Sequence, residues 1–276
     1  MRDQWDLKLL PEDPNLDDWT DKLYAWHYGK LMTDEQREVW DSYYNPRNES
    51  YISGTMTEEE TAIWKYQRYI KDYLRCIASV DENVGRVLDV LDEMNLSENT
   101  LVVYTSDQGF CLGEHGWFDK RFMYEESFRT PLIIRWPEHM AKGSVNTDLV
   151  QNLDFAPTFL EAAGIAVPSD LQGQSLLPLL TGSGTYNRDA LYYHYYEYPG
   201  IHAVKRHYGV RTARYKLIHF YHDIDEWELY DLATDPDELN NVYDNPAYAG
   251  TRDSLHLKLT DLMKQCGDST QVPPKS

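Results

Sequence analysis

The sequence predicts a layered α/β sheet flanked by helices, followed by a smaller α+β unit with an antiparallel sheet and a C-terminal helix. Three observations carry this. An apolar stripe at helical spacing leads into a short β-branched run, the order of an α/β unit. A second apolar run is followed by another helical pattern. Past residue 185, short Tyr-rich segments follow one another at close spacing, which favours antiparallel pairing. The small residues Thr181-Gly182-Ser183-Gly184-Thr185 form a joint, so the units are placed at 1–180 and 181–276.

Residues 1 to about 56 are polar and aromatic, punctuated by Pro11, Pro14 and Pro46, with one helix starting near Thr33. Thr57 is an N-cap with Glu60 at the capping-box position, so a long helix, or two in series, starts there. Ile70, Tyr73, Leu74, Ile77, Val80, Val84, Val87, Leu88 and Leu91 recur at three- and four-residue steps and are expected in the core. Thr100–Thr105 then reads as a strand of the kind buried in a parallel sheet, and Pro131–Trp136 as a second. A helix from about Asp154 has Pro157 in its first turn and Gly164 closing it. Beyond the joint, 190–196, 208–212 and 215–221 read as strands. A helix over 251–265 sets Leu255, Leu257, Leu259 and Leu262 near one side.

Composition narrows the partners. The 276 residues carry 26 Lys plus Arg against 46 Asp plus Glu, a net charge of −20, and no basic run. Such a field repels a phosphate backbone, which argues against nucleic acid. No apolar run reaches the roughly 18 residues that span a bilayer. The three cysteines, Cys76, Cys111 and Cys266, are too few and too scattered for a disulfide framework and are expected to be buried thiols.

The chemistry concentrates in Thr105–Lys120, which starts where the first strand ends; in open α/β sheets ligands sit at such ends. Asp107 and Gln108 place a carboxylate beside an amide oxygen, hard donors suited to Ca²⁺ and, less well, Mg²⁺. Calcium takes six to eight donors, so the rest must come from elsewhere. The alternative is structural: Asp107 caps a turn and Gly109 supplies a positive φ. Lys120, behind three glycines, can present a cation to an oxyanion or stand as a surface lysine. His115 can donate to a leaving group or simply tie the loop together.

With its surroundings this stretch resembles the sulfatases, the formylglycine-dependent branch of the alkaline phosphatase superfamily. The resemblance runs through 69–88, through Phe118–Pro137, and through Asp154-Phe155-Ala156-Pro157-Thr158 and Glu228–Pro236, in order, over roughly residues 60 to 245. It implies an alkaline-phosphatase-like fold and hydrolysis of sulfate esters, with Asp107 and Gln108 as one pair of Ca²⁺ ligands and Lys120 on the sulfate. It further implies a periplasmic, extracellular or lysosomal setting. The loop Tyr196–His207 is similar to that of sulfatases acting on sulfated aminosugars, such as glucosamine-6-sulfatases. His202 and His207 are therefore candidate substrate contacts, against the plainer reading that they satisfy backbone groups of the small sheet.

Part of the family pattern is missing. No Cys or Ser starts the Cys/Ser-x-Pro-x-Arg motif that yields formylglycine, and Asp17-Asp18 follows a Pro-broken loop instead of an apolar strand. The chain is thus expected to be the carboxyl-terminal part of a sulfatase. Its nucleophile and early strands would lie in an N-terminal part of the same protein, and it would be inactive and poorly stable alone. A phosphonate or phosphodiester hydrolase of the same superfamily, and a non-catalytic module binding sulfated glycans, are the alternatives.

Overall fold

The computed structural model of the chain describes residues 32–200 and 202–270. The readings on Pro11, Pro14 and Asp17-Asp18 lie outside the described residues. Two compact units divide the chain, Met1–Glu93 and Met94–Ser276. This differs from a boundary near residue 181, and the reason is that the segment around Met123 packs directly on the small sheet.

In the first unit, α1 (Asp34–Ile52) and α2 (Glu58–Glu93) follow their caps. Thr33 and Gln36 form a capping box, and Thr57 and Glu60 exchange the same reciprocal bonds, at 2.8 and 3.2 Å. The helices meet through polar and aromatic groups. Arg68 donates to Asn48 and lies over the Tyr44 ring, Tyr44 donates to Asp72, and Tyr51 stacks on Trp64. The apolar stripe of α2 is not core. Leu74, Ile77, Val80 and Val87 are 47–61% exposed, and of α2 only Arg68 is buried. Ile70, Tyr73, Val84, Leu88 and Leu91 are half-buried, and the exposed apolar residues among them favour association. The purified chain is expected to self-associate, and Ile77→Glu/Val80→Lys to reduce that association in light scattering; a soluble monomer with a reversible melt would contradict it.

In the second unit, β1 (Val102–Thr105) and β2 (Leu132–Arg135) pair with each other, antiparallel, with Tyr104 opposite Ile133. The expected parallel neighbours are therefore not the partners here. Tyr104 and Ile133 are 41% and 65% exposed, so one side of this ribbon is uncovered. Between the strands lies a single turn, α3 (Glu125–Phe128). After them come α4 (Phe155–Ala162), which stops before Gly164 at φ 71°, and α5 (Leu177–Thr181). Asp154 just before α4 is fully buried, and Arg188 grips both of its oxygens, one at 2.7 Å.

A four-stranded antiparallel sheet follows in sequence order: β3 (Ala190–Tyr195), β4 (His207–Thr212), β5 (Tyr215–Phe220) and β6 (Glu226–Asp231). The sequence reading had no strand at β6. The pairing register sorts alternate residues onto two faces. On one, Val210, Leu217 and Leu229 meet Leu255, Leu259 and Met263 of α6 (Ala249–Gln265). Leu257 of the expected stripe is 71% exposed instead, because the buried positions step by four along the helix. On the other face, Ile218, Phe220 and Tyr230 receive Met123, with Phe122, Tyr124 and Phe128 around it. Gly209 makes room for this plug. A Cβ there would lie 2.6 Å from the Met123 sulfur and 2.4 Å from the Leu217 carbonyl. Cys111 is buried as expected, whereas Cys76 and Cys266 are exposed. Among the described residues no helix is long and apolar enough to cross a membrane.

Candidate active site

The segment after β1 doubles back on itself. Gly109 N–H donates to the Ser127 carbonyl at 2.8 Å, Cys111 N–H to Asp119 at 2.9 Å, and Gly113 N–H to Trp117 at 2.9 Å. Residue 120 is thereby returned beside the backbone of 110 and 111, two residues from Gln108. Three glycines permit this, for two different reasons. Gly113 and Gly116 take positive φ, 127° and 68°. Gly109 does not; a Cβ on it would lie 2.0 Å from the Glu126 carbonyl, so close backbone approach is what demands glycine.

Asp107 is exposed, and its Oδ1 accepts from Gln108 N–H at 3.1 Å, which is the turn-capping role. The side chain of Asn152 donates to the Asp107 carbonyl at 3.0 Å and fixes the residue's backbone. The Asp107 Oδ2 and the Gln108 amide oxygen remain as hard donors. Among the described residues no group of three or more His, Cys, Asp or Glu converges on a metal position. The two side chains fit Ca²⁺ in donor chemistry, as part of a coordination shell completed by others.

The Lys120 ammonium has no ion-pair partner among the described residues, while both its neighbours are engaged. Arg121 donates to Asp119 Oδ1 at 2.7 Å, and its other Nη meets His202 Nε2 at 2.8 Å across 81 positions of chain. A guanidinium only donates, so His202 Nε2 accepts and the ring proton sits on Nδ1, 3.6 Å from Asp119 Oδ2. Arg121 has φ 92°, an uncommon conformation for a side-chain-bearing residue. Tyr193 bonds its carbonyl at 2.7 Å and Ser127 Oγ accepts from its N–H at 2.7 Å. Asp119 and Arg121 escaped the sequence reading. Both are visible beside Lys120, but nothing local says that they meet a histidine in the 196–207 loop.

His115, at φ 53°, stacks on Tyr124 with centroids 4.4 Å apart, and its Nε2 is 3.3 Å from Glu126 Oε2. Tyr124 in turn donates to Glu228 at 3.0 Å. Burial raises the pKa of Glu228 despite the hydroxyls of Tyr124 and Tyr230.

His207 departs from the role of substrate contact. It is 0% exposed, its Nδ1 lies 2.8 Å from the Lys205 carbonyl, and Phe122, Phe220, Tyr193 and Tyr195 surround the ring. The plainer reading, a histidine serving the small sheet, describes it. Burial, opposed by the hydrogen bond at Lys205, pushes its pKa down to about 4. An unfolded histidine titrates near 6.5. From about 6.5 down to about 4 the unfolded chain therefore holds the extra proton, and stability falls with pH across that window. Urea midpoints measured at pH 7.5 and 5 should show this fall, and His207→Phe should shrink it; an unchanged fall would contradict the assignment.

Residues 113–265 match the family described as N-sulphoglucosamine sulphohydrolase, C-terminal, and residues 31–165 match the family described as sulfatase. The chain belongs to the sulfatase family. This sulfatase chain is 50% identical over 272 residues to an N-acetylglucosamine-6-O-sulfatase of Bacteroides thetaiotaomicron, covering 98% of the chain and 48% of that protein. It is 36% identical to arylsulfatase K of Mus musculus, over 62% of the chain and 32% of that protein. The chain thus spans half or less of the length of these curated relatives. Its fold superimposes, with a TM-score of 0.89 and 50% identity, on a protein solved with its substrate D-glucosamine-2-N,6-O-disulfate, over 97% of the chain and 55% of that structure. A phosphonate monoester hydrolase of Agrobacterium radiobacter matches with a TM-score of 0.65 and 29% identity, over 73% of the chain and 42% of that structure. The sulfatase expectation and the mixed α/β architecture both stand.

Proposed function

We propose that this chain contributes the sulfate-binding and sugar-reading side of a carbohydrate sulfatase that cleaves sulfate esters of glucosamine-type sugars. The observation that carries the proposal is the return of Lys120 beside the backbone of 110 and 111, two residues on from Gln108, with Asp119, Arg121 and His202 joined alongside. The similarity to the N-acetylglucosamine-6-O-sulfatase and to the disulfate complex supports the sugar class.

Asp107 and Gln108 would hold Ca²⁺, which supplies charge that polarises the sulfate oxygens. Lys120 brings a second cation to the same oxygens, where negative charge grows as the ester bond breaks. In an acidic protein these two charges form the local positive site an anion needs. Arg121 joins Asp119 and His202 through its two Nη atoms, and their remaining polar atoms would meet sugar hydroxyls. His115, its ring held between Tyr124 and Glu126, would exchange a proton with the leaving oxygen. The nucleophile is not among this chain's residues, since the sequence contains no Cys/Ser-x-Pro-x-Arg segment. A formylglycine from an N-terminal part of the same protein would complete the site.

Isothermal titration tests the reading with glucosamine 6-sulfate, unsulfated glucosamine and an aryl phosphonate. The sulfated sugar should bind best in calcium. His202→Ala should weaken it roughly tenfold while leaving calcium affinity alone. Equal binding of glucosamine with and without sulfate would reject the proposal. Preference for the phosphonate would favour the alternative suggested by the phosphonate monoester hydrolase match. Tight sulfated-sugar binding with no turnover, even with the nucleophile supplied, would favour the non-catalytic module.

A further inference from the structure

The single turn α3 grips both halves of the candidate site. Ser127 is buried; its carbonyl accepts from Gly109 N–H at 2.8 Å and its hydroxyl from Arg121 N–H at 2.7 Å. One residue thus fixes the backbone next to Gln108 and the backbone next to Lys120.

The turn itself is held by charges that the proposed chemistry does not use. Glu125, the first residue of α3, donates its N–H to Glu238 Oε2 at 2.6 Å. Its carboxylate lies 2.8 Å from Lys216 Nζ and 3.2 Å from an Arg211 Nη. Lys216 Nζ is also 2.7 Å from Glu238 Oε1, an ionic contact without hydrogen-bond alignment. The side chains of Lys216 and Glu238 are 0% exposed. Glu238 reaches this place from a left-handed backbone, φ 51°, in a turn whose next two N–H groups, at Leu239 and Asn240, are held by Asp235. Burial works against the Glu125 carboxylate, yet Lys216 and Arg211 hold its pKa below the usual range. Glu238, deeper and sharing that lysine, is raised.

Removing four charges from water for fold stability alone is an inefficient arrangement, because apolar groups of the same volume serve as well or better. What ionic groups supply here is a defined position for Glu125. The sheet does not need them: β4 and β5 are aligned by their own ladder. We propose that Lys216 and Glu238 are positioning residues of the candidate site. By fixing Glu125 they set where Ser127 stands, hence the register of Gly109 against Arg121 and the distance from Asp107 and Gln108 to Lys120. The inference rests on the sulfatase reading only for the use made of that distance.

Amide hydrogen exchange on the whole chain tests the placement without requiring turnover. In Glu238→Gln and Lys216→Met, the Gly109 and Arg121 amides should exchange roughly tenfold faster or more, while the ladder amides of Val210 and Ile218 hold their rates. Arg211→Gln, which disturbs Glu125 from its more exposed side, should give a smaller change at the same two amides. It carries the test if a core variant fails to fold. Unchanged exchange at Gly109 and Arg121, or equal acceleration along the ladder, would overturn the proposal. Failure of the unaltered chain to bind the sulfated sugar in the titrations above would reject the proposed function and leave this placement intact.

Discussion

Lys120→Ala should lower turnover of a sulfated glucosamine by roughly 10²–10³-fold in an enzyme form that has the nucleophile, with a smaller change in KM. The size follows from the role proposed for the ammonium. It has no partner within the described fold, so its removal breaks no ion pair, and the loss falls on the charge developing on sulfate. The surrounding ladder, Gly109 to Ser127 and Cys111 to Asp119, is backbone-made and should survive the substitution. Lys120→Arg should restore only part of the rate, because a planar fork does not place its charge where a compact ammonium does. Steady-state kinetics beside a melting curve would decide. A loss under about tenfold, or one matched by lost stability, would remove Lys120 from the sulfate.

Asp154→Asn should cost about 3–5 kcal/mol of stability, among the largest effects available in this chain, because it leaves the Arg188 guanidinium mostly buried without its anion. Asp154 is a junction. It accepts from Gln151 N–H at 2.8 Å, Gln174 N–H at 2.9 Å, Tyr186 and both Arg188 Nη atoms, and its carbonyl takes the Thr158 hydroxyl. Thr158 passes the connection to Leu176 N–H at 2.8 Å. Burial opposes the Arg188 charge, but Asp154 prevails and raises its pKa. Arg188→Met should cost a similar amount, whereas the double variant Asp154→Asn/Arg188→Met should lose less than the two singles summed. Urea unfolding of the four proteins measures this. Additive losses would show that the pair is not a unit. Since Asn152 in the same turn holds the Asp107 carbonyl, the single variants should also loosen the Asp107-Gln108 segment.

The sequence showed most clearly what is local. Thr33 and Thr57 announced their helices, Gly164 ended one, and the alternating Tyr-rich runs gave three of the four strands of the small sheet. Asp107, Gln108 and Lys120 stand out as candidates because they sit on one loop behind a strand. Long-range chemistry was hidden. His202 reaches Asp119 and Arg121 across more than 80 residues, and no periodicity carries that information. His207 resembled His202 in sequence, yet it occupies a strand position on the face packed against Phe122, so burial decides its role. The stripe of α2 was legible as apolar, but periodicity shows that a face is apolar without showing what covers it. Strand β6 was masked by three acidic residues among its six, Glu226, Glu228 and Asp231; Glu228 is retained by tyrosine hydroxyls and Asp231 by Arg214.

The most direct test is a crystal structure of the nucleophile-bearing enzyme with Ca²⁺ and glucosamine 6-sulfate, the metal located by anomalous scattering. The account predicts Asp107 and Gln108 oxygens in the metal's shell, the Lys120 ammonium on a sulfate oxygen, and His202 with Asp119 and Arg121 against the sugar ring. A metal bound elsewhere, or a sulfate out of reach of Lys120, would contradict it.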